Sequence, residues 1–435
     1  MTGTKPTGSI TAGILADDRL ANGLRLLCRT LPGSPVASVT LVTRVGSAYE
    51  RVGERGYAHL LEHLMFHGSE RLPRGEYDRI CTMAGGESNA WTSTDLTGYW
   101  IAVPSESLPV ALALEAARAT GPTLEIESFE NERRIVEAER RQVIENVPYG
   151  EAGRLVREAL YPEDHPYRHE PIGDPDDLAK ATIGSISSFF RRHYRADRSI
   201  LVVAADRPLH ELRHLAEQHF GEAFIEDADH PAEVFQESDR TASAAQPTGP
   251  RHRTILSQLV PLSASFLAWQ APSTNDRRVL ALELLAMILA EGDGSRLAVA
   301  MEYTTMIASE TGAWIEEGER GSTFNVWGIA RTVRTGPEEI RDGLLAALRQ
   351  IVSGGITDNE LTTVRNRKLA SVVSSLTSMT TTAERLAVYT ALYDDPALVW
   401  NEPAAYEKVT GAEIVDEARK LLATDPVILD YRPEA

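Results

Sequence analysis

Two histidines and a glutamate in one short segment have the types and spacing to hold a metal ion and activate a water molecule. His59, Glu62 and His63 form an H-x-x-E-H run within residues 56–66. On a helix, residues four positions apart share a face, so both imidazoles can point at one ion while Glu62 lies one turn from His59. The order is the inverse of the H-E-x-x-H zinc motif, in which the glutamate directly follows the first histidine. The alternative is an amphipathic core helix with two histidines four apart by chance.

A catalytic zinc ion needs a third protein ligand, and an acidic segment further along the chain can supply it. Residues 131–146 predict a charged helix in which Glu132 and Glu139 lie two turns apart on one face. Either glutamate could reach the metal. The apolar residues available to pack this helix against the protein are Ile135, Val136 and Val143. Taken alone, such a charged helix is more often only a solvated face.

A second candidate motif lies downstream. His210, Glu211 and His214 match H-E-x-x-H, and His219 adds another imidazole. A third histidine of the metzincin type follows the second by six positions, whereas His219 follows His214 by five, and the required glycine is absent. We therefore predict that the metal site is at His59 and His63 and that residues 208–220 form an ordinary helix.

The elements that would position these residues alternate between strands and helices. An Asn-Gly pair at 22–23 predicts a hairpin turn near the start of the chain. The strands predicted in the first half cover residues 37–44, 87–92, 96–103 and 199–206, and the helices around the motif cover 54–67 and 75–84. Strand 87–92 is a candidate sheet edge to which an extended peptide could pair, although an ordinary polar edge strand is the alternative.

The second half repeats this order without the metal motif. A strand at 264–269 precedes a helix at 276–290 that contains no histidine. The pattern predicts an α+β fold of two related α/β-sheet domains, a tandem duplication in which only the first copy carries chemistry. We place the first domain at residues 1–228, a linker rich in Asp, Pro, Ser and Thr at 229–252, and the second domain at 253–435.

Composition narrows the classes of function. The chain has 435 residues, 43% of them hydrophobic and 25% charged, which is typical of a globular protein with more than one core. A net charge of −19 disfavours nucleic acid and anionic membranes and could favour basic peptides. Two cysteines build no disulfide framework, and no apolar run approaches a membrane span. We therefore expect a cytoplasmic protein without membrane insertion.

Several blocks of the sequence resemble one family. These are residues 46–50, 56–68, 85–99 and 132–139, which include Gly46-Ser-Ala-Tyr-Glu50 and the H-x-x-E-H run. Their content and order are similar to the pitrilysin-type inverted-motif zinc metallopeptidases, most closely the processing-peptidase branch. The resemblance extends over essentially the whole chain, strongly to about residue 205. It implies that the two domains form half of a clamshell-like peptidase chamber.

The resemblance also implies a role for each site residue. Glu139 is the third ligand of one Zn²⁺ per chain, with His59 and His63. Glu132 supports His63 or Glu139 from behind, and Asn89 and Ala90 lie against the peptide substrate. Zinc lowers the pKa of its bound water. Glu62, as general base, accepts a proton from this water as it attacks a peptide carbonyl. The predicted activity is that of a zinc-dependent endopeptidase.

One departure from the family bears on partners. The family places an arginine and a tyrosine, which grip substrate, seven residues apart after the Ser-Arg-Leu of the second half. Here these positions hold Glu302 and Ser309. Either the alignment slips here or a second protein supplies these groups. We expect a heterodimer in which a related zinc-less subunit supplies them, or else a homodimer. The alternative function is that of a structural core subunit, since the family includes non-proteolytic members, although intact ligands weigh against it.

Overall fold

The computed structural model describes residues 14–224 and 250–434. The strands of the first half are β1 (Ile14–Arg19), β2 (Arg25–Thr30), β3 (Val36–Thr43), β4 (Glu87–Thr92), β5 (Thr97–Pro104) and β6 (Ser199–Ala205). Its helices are α1 (Tyr57–Leu64), α2 (Glu76–Met83), α3 (Leu108–Ala119), α4 (Ile126–Arg140), α5 (Ala152–Leu160), α6 (Pro175–Lys180), α7 (Ile183–His193) and α8 (Leu209–Phe220). The six strands form one sheet in the order β1-β2-β6-β3-β5-β4, so β4 is an edge strand.

The second half forms a second sheet. Its strands are β7 (His252–Ser257), β8 (Ala264–Ala271), β9 (Ala308–Glu316), β10 (Ser322–Ala330) and β11 (Val427–Pro433). Its helices are α9 (Arg278–Ala290), α10 (Pro337–Gly354), α11 (Asp358–Ser375), α12 (Met379–Tyr393), α13 (Leu398–Glu407) and α14 (Gly411–Leu422). The strand order is β7-β11-β8-β10-β9.

The two sheets have the same design. In the first, β2 pairs parallel to β6, and β6, β3, β5 and β4 then follow in antiparallel pairs. In the second, β7 pairs parallel to β11, and β11, β8, β10 and β9 follow in antiparallel pairs. The first sheet differs only by the extra strand β1. The predicted α+β class and its duplication are confirmed.

The predicted elements agree closely with the structure. The hairpin turn at residues 22–23 joins β1 to β2, and the strands and helices predicted around the motif occur within a few residues of their predicted bounds. The predicted linker lies almost entirely outside the described residues. The domain boundaries at 228 and 253 stay a prediction. No helix in the described part of the chain is long and apolar enough to cross a membrane.

Each half covers one face of the other half's sheet. Helix α12 of the second half packs on β3 and β6, where Leu386 and Ala387 join Val42 and Val202 in one buried cluster. In the opposite direction, α5 of the first half packs on β8 and β11. The remaining faces are covered from within each half, by α3 and α8 in the first and by α10 in the second, where α9 packs on β9 and α14 packs on α9 and α10. The two halves therefore share two buried apolar clusters, in addition to the clusters within each half.

Helix α4 partly corrects the sequence interpretation. It begins earlier than predicted, at Ile126, and Arg141–Glu145 continue it as a π-helical segment. Of the three apolar residues expected to pack it down, only Val136 is buried, whereas Ile135 and Val143 are 43% and 49% exposed. The packed face instead contains Phe129, Glu132 and Val136, which follow each other at helical spacing.

Candidate metal centre

The helix that carries the H-x-x-E-H run is anchored at its first turn by a distant carboxylate. Gly56 precedes α1 with a φ of 98°, a left-handed conformation that favours glycine. Without a side chain at this position, the first amides of the helix need acceptors from elsewhere. Glu50 supplies them: its two carboxylate oxygens accept from the backbone N–H groups of Gly56 and Ala58 at 2.9 and 2.8 Å. His169 Nε2 lies 2.9 Å from the same carboxylate.

The pattern of apolar residues then decides which face of α1 points away from the core. The buried residues of the helix are Tyr57, Ala58, Leu60, Leu61 and Leu64. His59, Glu62 and His63 are only partly buried. Helix α1 packs against α4 and against β4, so its polar face meets the acidic helix and the edge strand together.

Three side chains converge on one point between α1 and α4. Glu139 Oε2 lies 3.8 Å from His59 Nε2 and 3.6 Å from His63 Nε2. The ligand atoms of these three residues are all within 4.8 Å of one another, and no other such group occurs among the described residues. Zinc bonds of about 2.1 Å at tetrahedral angles place ligand atoms about 3.4 Å apart. Two imidazole nitrogens and one carboxylate therefore fit a zinc ion in chemistry and in spacing.

The Glu132 carboxylate contacts two histidines of the site, His63 and His67. It lies 3.4 Å from His63 Nδ1 and 2.8 Å from His67 Nε2. Because Nδ1 of His63 faces Glu132, its Nε2 is directed toward Glu139, the arrangement usual for a metal-ligating histidine with an outer carboxylate. His59 has no such support: its buried Nδ1 has no hydrogen-bond partner among the described residues.

The neighbouring side chains shift the pKa values at the site in different directions. Burial, assisted by the nearby His63, lowers the pKa of His59 to about 4, so this imidazole is neutral and able to bind a metal near pH 7. Burial also opposes protonation of His63, but the carboxylates of Glu132, Glu62 and Glu139 outweigh it and raise the pKa. Hydrogen bonds from His63 and His67 lower the pKa of Glu132 to about 2.

Glu62 lies beside the three converging side chains, where burial and a hydrogen bond restrict its carboxyl group. Burial raises the pKa of its carboxyl, and a hydrogen bond from Thr92 partly offsets this effect. The Thr92 hydroxyl donates to Glu62 Oε2 at 2.5 Å. A raised pKa brings a carboxylate closer to the value needed for proton transfer near neutral pH.

The predicted peptide strand is the edge strand β4. Asn89 is exposed and Ala90 is partly buried. The Ala90 N–H donates to the side-chain oxygen of Asn89 at 2.9 Å, so this side chain covers part of the strand's backbone.

The downstream H-E-x-x-H run lies on α8, where it forms no metal site. His210 and His214 are exposed, and Glu211 forms an ion pair with Arg207 one turn away. Within residues 14–224 and 250–434, these side chains do not belong to any group that could hold a metal.

Sequence reasoning missed four residues that support the site: Glu50, His67, Thr92 and His169. The side chains of the two histidines are only 15% and 16% exposed, and each contacts a glutamate. Glu50, His67 and Thr92 lie within the sequence blocks that resemble the family, and this was the signal that could have identified them. No pattern in the sequence links His169 to Glu50, since 119 residues separate them.

The fold and the site are those of a metallopeptidase, and comparison with known proteins identifies the family. Residues 25–164 match the model described as Insulinase (Peptidase family M16), and residues 180–368 match that of the Peptidase M16 inactive domain. Together the two models cover most of the chain. The chain belongs to peptidase family M16.

Relatives and solved structures agree with this assignment. The chain is 28% identical over 372 residues to the zinc protease PqqE of Helicobacter pylori, covering 85% of this chain and 82% of that protein. It is 23% identical to the mitochondrial-processing peptidase subunit beta of Saccharomyces cerevisiae, covering 94% and 89%. The crystal structure of a protease from Helicobacter pylori superposes with a TM-score of 0.87 at 25% identity, covering 97% of this chain and all of that one. These comparisons indicate a zinc protease of the M16 type.

Proposed function

We propose that this chain is a zinc-dependent endopeptidase in which His59, His63 and Glu139 hold one Zn²⁺ and Glu62 is the general base. The observation that carries the proposal is the convergence of two imidazole nitrogens and a carboxylate within 4.8 Å of one another, beside Glu62. The donor set is that of a catalytic zinc site with three protein ligands. Glu139 remains 40% exposed on its side chain, which leaves the site open to solvent and substrate.

The chain's own residues account for the proton transfers. When bound, zinc supplies a Lewis acid that lowers the pKa of water at the site. Glu62 keeps one carboxylate oxygen against the Thr92 hydroxyl, so its second oxygen is available to accept a proton from the attacking water. The same carboxyl can then donate that proton to the leaving amine. Glu132 keeps His63 in the tautomer whose Nε2 faces Glu139.

The substrates we propose are extended peptides or small unfolded polypeptides. An edge strand offers its backbone to a pairing peptide, and Asn89 and Ala90 are the residues of β4 that would contact it. An arriving peptide would replace the hydrogen bond between the Ala90 amide and Asn89. The net charge of −19 supports a preference for basic peptides through long-range attraction.

We propose a dimer, most simply a heterodimer with a related zinc-less subunit. In the structure Glu302 accepts a hydrogen bond from Thr311 at 2.6 Å, and Ser309 donates to backbone carbonyls of β10. Both residues are thus engaged locally, and neither offers a cationic or phenolic group to a substrate. The relation to a named peptidase subunit supports assembly with a second chain. High peptidase activity from a pure, monomeric single chain would contradict this part of the proposal.

Substitution of the base tests the proposed chemistry. We expect Glu62→Gln to keep its zinc and to lose about 10²–10⁴-fold in kcat, because the metal ligands remain while the proton acceptor is gone. Glu211→Gln, the same change in the downstream motif, is the matched control and should keep full activity. The measurements are elemental analysis for zinc and cleavage of a peptide library, before and after chelation and zinc addition. Loss of activity in Glu211→Gln with retention in Glu62→Gln would reverse the assignment.

A further inference from the structure

Among the described residues, only the Thr92 hydroxyl donates a hydrogen bond to the Glu62 carboxylate. This hydroxyl donates to Oε2 at 2.5 Å, a short bond of the kind expected for a hydroxyl that meets a charged oxygen. A carboxylate held at one oxygen has fewer accessible rotations than one exposed to water alone, so its second oxygen keeps a defined direction.

Thr92 is itself held firmly in place. It is the last residue of β4 and pairs with Thr97 of β5. In the turn that follows, the Ser93 amide donates to the Leu96 carbonyl at 2.8 Å, and the Leu96 amide donates to the Ser93 hydroxyl at 3.0 Å. The position of the Thr92 hydroxyl therefore follows from the backbone of the hairpin between β4 and β5.

That hairpin is fastened to the other half of the molecule. Asp95, only 6% exposed, accepts a hydrogen bond from the Glu319 amide at 3.0 Å, in the turn between β9 and β10. The Tyr167 hydroxyl donates to the same carboxylate at 2.7–2.8 Å and accepts from the Arg320 amide at 2.8 Å. The corresponding hairpins of the two halves thus meet at Asp95, three residues from Thr92.

We propose that Thr92 is a positioning residue that orients Glu62 for proton transfer, and that it couples this orientation to the strand on which peptides pair. The argument rests on the proposed function. Strand β4 carries both the exposed edge at Asn89 and Ala90 and the hydroxyl that holds the base. Because the Thr92 hydroxyl contacts the base while the pairing edge lies at Asn89 and Ala90, the effect of Thr92 falls on turnover rather than on affinity.

Three variants test this role in the full-length protein, loaded with zinc and assembled in the dimer that cleaves peptide. Thr92→Val keeps the shape of the side chain but removes the donor, and Thr92→Ser keeps the donor. Thr30→Val is the matched control, because Thr30 also ends a strand of the first sheet and its hydroxyl donates to the Arg207 carbonyl at 2.9 Å. We expect Thr92→Val to lose about 10–100-fold in kcat with KM within about twofold, Thr92→Ser to recover most of it, and Thr30→Val to match wild type.

A crystal structure of Thr92→Val gives a readout that does not depend on activity. We expect full zinc content, and a Glu62 side chain that adopts more than one orientation where the wild type shows one. An unchanged kcat, a loss shared equally by Thr92→Ser, or a Glu62 side chain that keeps its single orientation would each overturn the proposal. A wild-type protein that binds no zinc and cleaves no peptide would overturn the proposed function itself, and this role with it.

Discussion

The two halves of the molecule share one sheet design but carry different charges where corresponding helices meet. In the first half, α1 meets α4 with two imidazoles facing the Glu139 carboxylate. In the second half, α9 and α11 occupy the corresponding places in the order of elements, and Lys368 Nζ lies 2.8 Å from Glu283 Oε1. The Tyr406 hydroxyl also donates to Glu283.

The two contacts differ in where their positive charge comes from. The ammonium of Lys368 is a cation supplied by the chain, so the contact between α9 and α11 is neutral by itself. The contact between α1 and α4 instead gathers the carboxylates of Glu62, Glu132 and Glu139 around two histidines, where the zinc ion that we propose would supply the positive charge. One scaffold therefore carries either a lysine–glutamate ion pair or a candidate metal site, depending on a few side chains.

The largest expected effect comes from removing a carboxylate on the metal-binding side of this comparison. We expect Glu139→Ala to bring the zinc content close to none and to lower peptidase activity more than about 1000-fold, because two histidines hold zinc poorly without a third ligand. Elemental analysis and peptide cleavage measure both effects. Lys368→Met is the matched change in the second half. It should keep its zinc and lose about 1–3 kcal/mol of stability, since Glu283 is left without its cation. Zinc loss in Lys368→Met would contradict the comparison.

The next largest effect is on stability and comes from the two helices, α12 and α5, that each pack on the sheet of the other half. Leu386 of α12 is fully buried against the sheet of the first half, and Leu155 of α5 is 5% exposed against the sheet of the second. We expect Leu386→Ala and Leu155→Ala each to cost about 2–5 kcal/mol of unfolding free energy, because each leaves a cavity between the halves. Urea denaturation followed by fluorescence and by circular dichroism measures this.

Both variants should unfold in one transition at which the two probes coincide. The control is Leu259→Ala, at a residue that is 52% exposed, which should change stability by less than about 0.5 kcal/mol. Separate transitions for the two halves would show that they do not share a core.

The smallest effect distinguishes the halves by their response to acid. Burial, assisted by nearby arginines, lowers the pKa of His193 to about 2, and burial lowers that of His165 to about 4. Both residues are in the first half, and no histidine follows His252. The unfolded chain, with a histidine pKa near 6.5, binds more protons than the folded chain below that value. The contribution of these residues is therefore complete above about pH 6.5 and is lost as the pH falls, by up to about 1.4 kcal/mol per unit for each histidine.

His193→Phe keeps an aromatic ring and removes the proton site, so its stability should fall less between pH 6.5 and 5 than that of wild type. Urea denaturation at both pH values measures the difference. The same loss in wild type and His193→Phe would show that protonation of His193 does not contribute.

Much of the fold was predictable because its pattern is local. Alternating strands and amphipathic helices identified most strands of the first sheet and the helices around the motif to within a few residues, and the repeated order of strand and helix indicated a duplication. The exchange of α5 and α12 between the halves was not predictable, because both helices have apolar faces that could have packed within their own half. Such pairing depends on the three-dimensional arrangement of sheets, which residue periodicity does not encode.

The candidate site was also predictable from the sequence only in part. The spacing of His59 and His63 placed both on one face of a helix, and the structure brings Glu139 to them. The contact of Thr92 with Glu62 and that of His169 with Glu50 join segments that are distant in sequence, so no local pattern could indicate these pairs. The exposure of Ile135 shows the opposite error, since an apolar residue was expected to pack but lies on the same side of α4 as Glu139.

The exchange of the covering helices α5 and α12 makes each repeat depend on the other. Each repeat, if expressed alone, would leave one apolar sheet face bare to water, and such faces promote aggregation. A single repeat is therefore not expected to be stable by itself. The second repeat has a structural role, because its helix α12 covers a sheet face of the repeat that carries the H-x-x-E-H run.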